Sequence, residues 1–204
     1  MASRRSAGGL PFSNRNEVRV RIEAVAVTLL GLAIVNLPLS GQTQKGAVPA
    51  GPVIVLETVK GAIEIETYPK DAPKTVARIL ELVKKNFYNG MRFHRAETNF
   101  LVQIGDPVSR DMSREAWWGR TPGTGKPIGV AEISKTRRHV AGAVAMAHAG
   151  DPAQADTQFY ILLRAAPELD GKYTVFGRVT SGLDVVQKLR RADILKRASV
   201  KAGS

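Results

Sequence analysis

The chain has 204 residues, of which 44% are hydrophobic and 24% charged, so it is long and apolar enough for one folded domain with a core, and disorder is excluded. It contains no Cys, which excludes disulfide scaffolds, thiolate zinc sites and Cys nucleophiles. Its formal net charge of +12 leaves nucleic acid, an anionic membrane or an acidic partner open.

The first 41 residues have the pattern of an export segment. A segment rich in Arg precedes an apolar run from Ala24 to Leu39, and small and polar residues follow from Ser40 to Gly46. This order is typical of a secretory signal, and the run of about 16 residues is shorter than the ~20 that a spanning helix prefers. We therefore predict a cleaved signal peptide over residues 1–41. An uncleaved membrane anchor through residues 24–39 and a buried helix of the domain are the alternatives.

The next segment predicts a linker followed by a hairpin. Glycines and prolines over residues 42–52 indicate the linker. Val53–Thr58 and Ala62–Thr67 are two runs rich in β-formers, and in the second run Ile63 and Ile65 alternate with Glu64 and Glu66. This alternation predicts two paired strands with one buried face and one exposed face.

Two helices are predicted, one on each side of a series of strands. Pro73 opens the first, apolar residues recur at helical spacing as far as Phe87, and Asn89-Gly90 ends it after about four turns. The second is predicted over Leu183–Arg191. Between them, strands are predicted at Met91–Arg95, Phe100–Ile104, Val140–Ala147, Gln158–Leu163 and Thr174–Val179. Many short strands with few helices favour an antiparallel barrel or sandwich.

The folded domain is predicted to cover residues 53–192. The segment after it, residues 193–204, is rich in Lys and Arg and is predicted to be a solvated, frayed C-terminal tail. We therefore expect one folded domain. We also expect the protein to be a monomer.

The sequence does not support a metal site or a phosphate-binding loop. His94, His139 and His148 have no metal-ligand spacing, so no metal site is predicted. The segment Gly123–Lys126 looks like part of a phosphate loop, but Arg120 stands where that loop needs Gly. We predict no cofactor.

Pairs of residues two positions apart on the predicted strands indicate a groove lined by both polar and apolar side chains. Leu101 and Gln103 share one face of their predicted strand, and Gln158 and Tyr160 share one face of theirs. Arg95 lies on the face of its strand that carries Phe93. Amides beside apolar side chains, with one Arg, suit a groove that holds a peptide by its backbone and its side chains.

At these residues the sequence resembles the cyclophilin family of peptidyl-prolyl cis-trans isomerases. The resemblance covers about residues 53–190 and rests on six motifs in the order that the family has. The motifs are Phe93-His94-Arg95, Phe100–Asp106, Gly123-Thr124-Gly125, Ala145–Ala149, Thr157–Ile161 and Leu169–Val179.

The resemblance implies a mainly β fold, an eight-stranded antiparallel β-barrel capped by two α-helices. It also implies that the substrates are proline-containing polypeptides and that Arg95 is the catalytic residue. The substrate-binding residues that it implies are Phe100, Leu101 and Tyr160 around the proline ring, Gln103, His148 and Gln158 on the substrate backbone, and Ala147, Leu169 and Tyr173 along the groove.

Together these features predict an isomerase that assists folding outside the cytoplasm, either exported to the periplasm or beyond, or tethered to the membrane. A module that binds proline-containing peptides with little turnover is the alternative. Nucleic acid is not expected as a partner, because no recognition motif is present and the aromatic residues are not interleaved with basic ones. The pair Trp117-Trp118 is predicted to pack against the domain in preference to forming a stacking platform.

Overall fold

A computed structural model of the protein describes residues 51–201. Within them the chain is mainly β, as predicted, and carries two α-helices, α1 (Pro73–Lys84) and α2 (Leu183–Lys188). The eight strands are β1 (Val53–Thr58), β2 (Gly61–Thr67), β3 (Arg95–Glu97), β4 (Leu101–Ile104), β5 (Ala143–Met146), β6 (Phe159–Leu162), β7 (Val175–Ser181) and β8 (Leu195–Val200).

The strands form one antiparallel sheet that curls on itself. Their order is β3-β4-β6-β5-β7-β2-β1-β8, and each neighbouring pair is antiparallel. The two ends of the sheet meet, because Phe93 donates its N–H to the carbonyl of Asp193 at 3.0 Å and Leu195 donates to the carbonyl of Met91 at 2.8 Å. The predicted antiparallel barrel architecture is confirmed.

The β1–β2 hairpin follows the predicted alternation. Leu56 pairs with Ile63 and Ile54 with Ile65, and all four side chains are buried in the main core. Burying such apolar side chains stabilises the domain by about 1.5–3 kcal/mol each. This hairpin therefore anchors one side of the sheet.

The first helix is shorter than its sequence pattern suggests. Val76, Ile79 and Val83 form its buried face, as expected. It ends at Lys84, however, and not at Asn89-Gly90, because Asn86 takes a φ of +56°, a left-handed conformation that an α-helix does not continue through. The second helix likewise ends at Lys188, before the predicted Arg191.

The prediction of a frayed tail over residues 193–204 is wrong for the part of it that the structure describes. Leu195 and Ala198 are buried, and β8 pairs with β1 along its length. Lys196 and Arg197 are both exposed, because a register shift between Leu195 and Arg197 interrupts the period of two, and the strand therefore looks like a run of positive charge in the sequence. At its end Lys201 donates its N–H to the carbonyl of Val53 at 2.8 Å, so the domain extends beyond residue 192.

The predicted strand Met91–Arg95 is also displaced. Regular pairing begins only at Arg95, while Met91 and Phe93 are buried in the main core and bond to the start of β8 and to the chain just before it. His94, between Phe93 and Arg95, is buried as well. Burial lowers its pKa to about 4, so its imidazole is neutral at neutral pH.

The predicted signal or anchor segment, residues 1–41 with its apolar run 24–39, and nearly all of the predicted linker lie outside the described residues. Within residues 51–201, no helix combines the length and the apolarity that crossing a bilayer demands.

Candidate active site

Four strands bring polar and apolar side chains into one row across the sheet. Arg95 on β3 lies opposite Gln103 on β4, Gln103 lies opposite Tyr160 on β6, and Tyr160 lies opposite Ala145 on β5. Residues directly opposite each other in an antiparallel sheet share a face. The alternate residues of these strands, Val102, Ile104, Phe159, Ile161 and Val144, belong to the main core on the other face.

The same face carries a second apolar cluster beside this row. Leu101 and Tyr160 are buried in it, next to Ala145 and Val175. Tyr160 meets Tyr173 edge to face, with 5.8 Å between ring centres. The residues packed against the cluster from outside are Phe100, Ala147, Leu169 and Tyr173. The structure thus brings together all the residues that were predicted to contact the proline ring and line the groove.

A cavity of about 420 Å³ adjoins the row, and the predicted backbone-binding side chains line it. Gln103 donates from Nε2 to Oε1 of Gln158 at 2.9 Å, and Gln158 donates from Nε2 to the carbonyl of Thr121 at 3.0 Å. His148 and Ala147 form another part of the wall. The two amides are therefore held in a fixed order along the cavity.

The ring of His148 is fixed against its neighbours. Its Nε2 lies 3.0 Å from the carbonyl of Lys172, and the ring lies 4.4 Å from that of Tyr173. Its Nδ1 has no hydrogen-bond partner among residues 51–201. With Nε2 as the donor to Lys172, Nδ1 is a buried acceptor without a partner among the described residues.

Arg95 is half-exposed and bonds with its neighbour on the same strand. Its Nε donates to Oε1 of Glu97 at 2.7 Å, and its Nη2 lies 2.6 Å from the same oxygen. Nη1 bonds to nothing within the part of the chain that the structure describes. Glu97 was not predicted at this site, because the predicted strand ended at Arg95, although residues two apart in a strand share a face.

The buried hydroxyl of Tyr160 is uncharged and unpaired. Burial raises the pKa of Tyr160, the neighbouring Tyr173 adds to this effect, and the charge of Arg95 opposes it. The hydroxyl has no hydrogen-bond partner among the described residues. The apolar floor of the site therefore contains one polar atom that the fold does not satisfy.

The Gly-Thr-Gly motif belongs to a loop held tightly against β6. Gly123 has a φ of +73°, and a Cβ on it would lie 2.2 Å from Oγ1 of Thr157. The buried Asp156 accepts the N–H of Thr124 at 2.6 Å and pairs with Nη2 of Arg78 on α1 at 2.8 Å. The same loop contains Thr121, whose carbonyl accepts the hydrogen bond from Gln158 and which lines the cavity. Through Arg78 and Asp156, helix α1 therefore holds this part of the cavity wall in place. No sequence pattern links Arg78 to Asp156, which are 78 residues apart.

A second support lies under Tyr160. His139 donates its backbone N–H to Oδ1 of Asp170 at 2.9 Å, and its Nδ1 lies 2.9 Å from the same oxygen. These bonds, the backbone one foremost, lower the pKa of Asp170. The imidazole ring stacks on Tyr160 with 6.3 Å between centres. Asp170 follows Leu169, so this pair fixes the groove segment that ends at Tyr173.

The segment between β4 and the glycine loop, residues 121–125, contains 3₁₀ turns over Pro107–Arg110 and Met112–Trp117, the second of which is kinked at Arg114. Trp118 is buried and donates from Nε1 to the carbonyl of Asp111 at 3.1 Å, as predicted for a packed residue. Trp117 is 59% exposed, contrary to that prediction. Buried Asp106 accepts the N–H of Gly119 at 2.6 Å and also bonds to the hydroxyl of Thr121, so both ends of the segment are tied together.

Metal-binding side chains do not cluster in residues 51–201. No group of three or more His, Asp or Glu residues there has an arrangement that could hold an ion.

Comparison with known proteins agrees with this geometry. Residues 53–202 match the family model described as "Cyclophilin type peptidyl-prolyl cis-trans isomerase/CLD". A "Probable peptidyl-prolyl cis-trans isomerase" of Brucella abortus is 36% identical over 186 residues, which cover 90% of this chain and 91% of the relative. Peptidyl-prolyl cis-trans isomerase B of Bacillus subtilis is 37% identical over 139 residues, 68% of this chain and 90% of that protein.

Solved structures share the fold. A cyclophilin-type isomerase of Cryptosporidium parvum superposes with a TM-score of 0.65 at 22% identity, over 75% of this chain and 99% of that one. A cyclophilin from Hirschia baltica gives a TM-score of 0.57 at 27% identity, over 74% of each chain. The predicted family and enzyme class are confirmed: the chain belongs to the cyclophilin-type peptidyl-prolyl cis-trans isomerases.

Proposed function

We propose that this protein accelerates rotation about X–Pro peptide bonds in polypeptide substrates, with Arg95 as the catalytic residue. The observation that carries the proposal is the row Arg95–Gln103–Tyr160. It sets a guanidinium with an unbonded Nη1 beside ordered amides and an apolar cluster. These are the three kinds of contact that holding and twisting a proline peptide requires.

The reaction needs a donor and an anchor. A peptide bond is planar because the nitrogen lone pair is delocalised into the carbonyl, and rotation costs ~18–20 kcal/mol. At the twisted midpoint the lone pair is localised on the proline nitrogen. A donor aimed at that nitrogen binds the midpoint more tightly than either planar form, which is the condition for catalysis. The guanidinium of Arg95 is permanently charged and has several donors, so it suits this role.

The remaining groups would confine the rotation to one bond. The cluster of Phe100, Leu101 and Tyr160 would hold the proline ring, with Leu169 and Tyr173 beside it. Gln103, Gln158 and His148 would bond the substrate backbone, next to Ala147. Bringing a reaction of tens of seconds to milliseconds needs about four orders of magnitude, or ~5.5 kcal/mol. Orientation in a groove together with one charged donor can supply this amount.

A rate assay tests the catalytic part of the proposal. We expect the purified protein to accelerate isomerisation of a proline-containing peptide, and Arg95→Ala to lower kcat/KM by roughly 100-fold, because a charged donor to the transition state is lost. Arg197→Ala is the matched control, since Arg197 is a half-exposed strand arginine on β8 whose partner is Glu57. Equal rates for wild type and Arg95→Ala would refute the role of Arg95. Saturable peptide binding without any acceleration would assign a peptide-binding module instead.

We further propose that the protein works outside the cytoplasm, as an exported or membrane-tethered folding factor. Support comes from the sequence of residues 1–41, where Arg residues precede a short apolar run. Cell fractionation with N-terminal sequencing of the mature protein tests this location. A mature chain in the cytoplasm that keeps residues 1–41 would contradict it.

A further inference from the structure

We infer that Glu97 is a positioning residue of the active site: it holds the guanidinium of Arg95 by the Nε edge and leaves Nη1 for the substrate. The inference rests on the proposed function, because it assigns Glu97 a role that acts through Arg95. Strand β3 is only three residues long and supplies both members of the pair.

Strand register places Glu97 on the groove face. Arg95 lies opposite Gln103, and Glu97 lies opposite Leu101, a member of the apolar cluster. Residues two apart in a strand project on the same side, so Glu97 and Arg95 both belong to the face that carries the site. Glu97 is 46% exposed and belongs to neither of the two buried apolar clusters.

The contact engages one edge of the guanidinium only. Oε1 of Glu97 accepts from Nε at 2.7 Å and lies 2.6 Å from Nη2, distances typical of charge-assisted hydrogen bonds. A guanidinium has five N–H donors, and the two on Nη1 lie outside the edge that Nε–H and Nη2 form. The carboxylate therefore fixes the plane of the group without occupying those two donors.

Orientation is the larger of the two effects that Glu97 can have. Arg95 is 45% exposed, and a long side chain in water samples many rotamers unless a partner holds it. The opposing effect, partial neutralisation of the positive charge, is weak because water screens a half-exposed pair. A tenfold effect on rate corresponds to about 1.4 kcal/mol, and displacement of a catalytic group by 1 Å can cost more than this.

Kinetics of Glu97 variants test the inference. We expect Glu97→Ala to lower kcat roughly tenfold with KM within about twofold of wild type, because the chemical step and not binding depends on the orientation. Glu97→Gln should recover part of the loss, since its amide oxygen can still accept from Nε. Glu57→Ala is the control: it removes a similar half-exposed pair, with Arg197, between β1 and β8 and should leave kcat unchanged.

A double-mutant cycle separates action through Arg95 from any other action. In an Arg95→Ala background, Glu97→Ala should cause no further loss. The Nε–H signal of Arg95 in an NMR spectrum should be protected from water exchange in the wild type and lose that protection in Glu97→Ala. These two readouts would not respond to a merely structural change at the end of β3.

Three results would overturn the inference while the proposed function stands: an active wild type whose kcat is unchanged or raised by Glu97→Ala, a loss that persists in the Arg95→Ala background, or an Nε–H signal that does not respond. An inactive wild type would overturn the proposed function itself, and the inference with it.

Discussion

Two buried tyrosine hydroxyls of the domain differ in hydrogen bonding: one has a partner and the other has none among the described residues. The hydroxyl of Tyr88 donates to the carbonyl of Thr157 at 3.0 Å in the main core. The hydroxyl of Tyr160, on the floor of the site, has no partner among residues 51–201. A buried hydroxyl is favourable when it is bonded and costs free energy when it is not, so the same substitution should have opposite effects at these two positions.

We therefore expect Tyr160→Phe to raise the free energy of unfolding by about 1 kcal/mol and Tyr88→Phe to lower it by about 1–2 kcal/mol. Urea unfolding of the two variants, measured side by side, checks the signs. Each variant serves as the control of the other, because both remove one buried oxygen from an aromatic ring. A stability loss in Tyr160→Phe equal to that in Tyr88→Phe would show that the Tyr160 hydroxyl is satisfied.

Sequence reasoning at this scale succeeded for two alternating pairs and was wrong for a third: Phe93, predicted to share a face with Arg95, lies in the main core, while Arg95 lies opposite Gln103 on the other face. Leu101 and Gln103, and Gln158 and Tyr160, needed only a period of two to be assigned to a common face. It failed for Glu97, because the predicted strand ended two residues too early. It also failed for His139 and Asp170, which are 31 residues apart and meet only after the sheet has formed.

At the scale of elements, one ion pair connects the rear of the domain to the cavity. Arg78 projects from α1 to Asp156, and Asp156 also accepts the N–H of Thr124 in the glycine loop. The side chains of the pair are 14% and 5% exposed. Because both side chains are largely shielded from water, removing one partner leaves the other charge buried and unpaired, which lowers the free energy of unfolding.

Asp156→Asn should accordingly lower the free energy of unfolding by about 2 kcal/mol. Glu81→Gln removes the other, exposed partner of Arg78 and should cost less than about 0.5 kcal/mol. Thermal or urea unfolding of both variants gives the comparison. Equal losses in the two variants would mean that Asp156 contributes no more than a surface ion pair.

The elements that were predicted correctly are those with a clean period and apolar composition, such as β1, β2, β4 and the buried face of α1. Their ends were less accurate, because a single backbone conformation such as that of Asn86 decides where a helix ends. Strand β8 was missed for a different reason. Its exposed Lys196 and Arg197 made a strand with two buried side chains look like a charged tail.

At the scale of the whole molecule, β8 is the strand on which closure depends. It pairs with β1, its first residue Leu195 bonds to Met91 at the other end of the sheet, and Asp193 just before it bonds to Phe93. Losing it would leave β1 as an open edge and expose the core around Leu195 and Ala198.

Deletion of residues 194–204 should therefore abolish cooperative unfolding and isomerase activity together. Deletion of residues 202–204 alone should leave both intact, because it spares β8. Circular dichroism melting curves of the two truncated proteins check this expectation. A cooperative unfolding transition in the variant that lacks residues 194–204 would show that the fold does not require this segment.

The bond between Lys201 and Val53 has one further consequence. It holds the first and last strands of the domain side by side, so a few added residues could connect them without strain. The chain could then be reopened at Val59-Lys60, between β1 and β2, where both side chains are exposed. In such a circular permutant β1 would become the final strand, following β8, while the row from Arg95 to Ala145 would keep its connections. We therefore expect such a permutant to keep the groove and its isomerase activity.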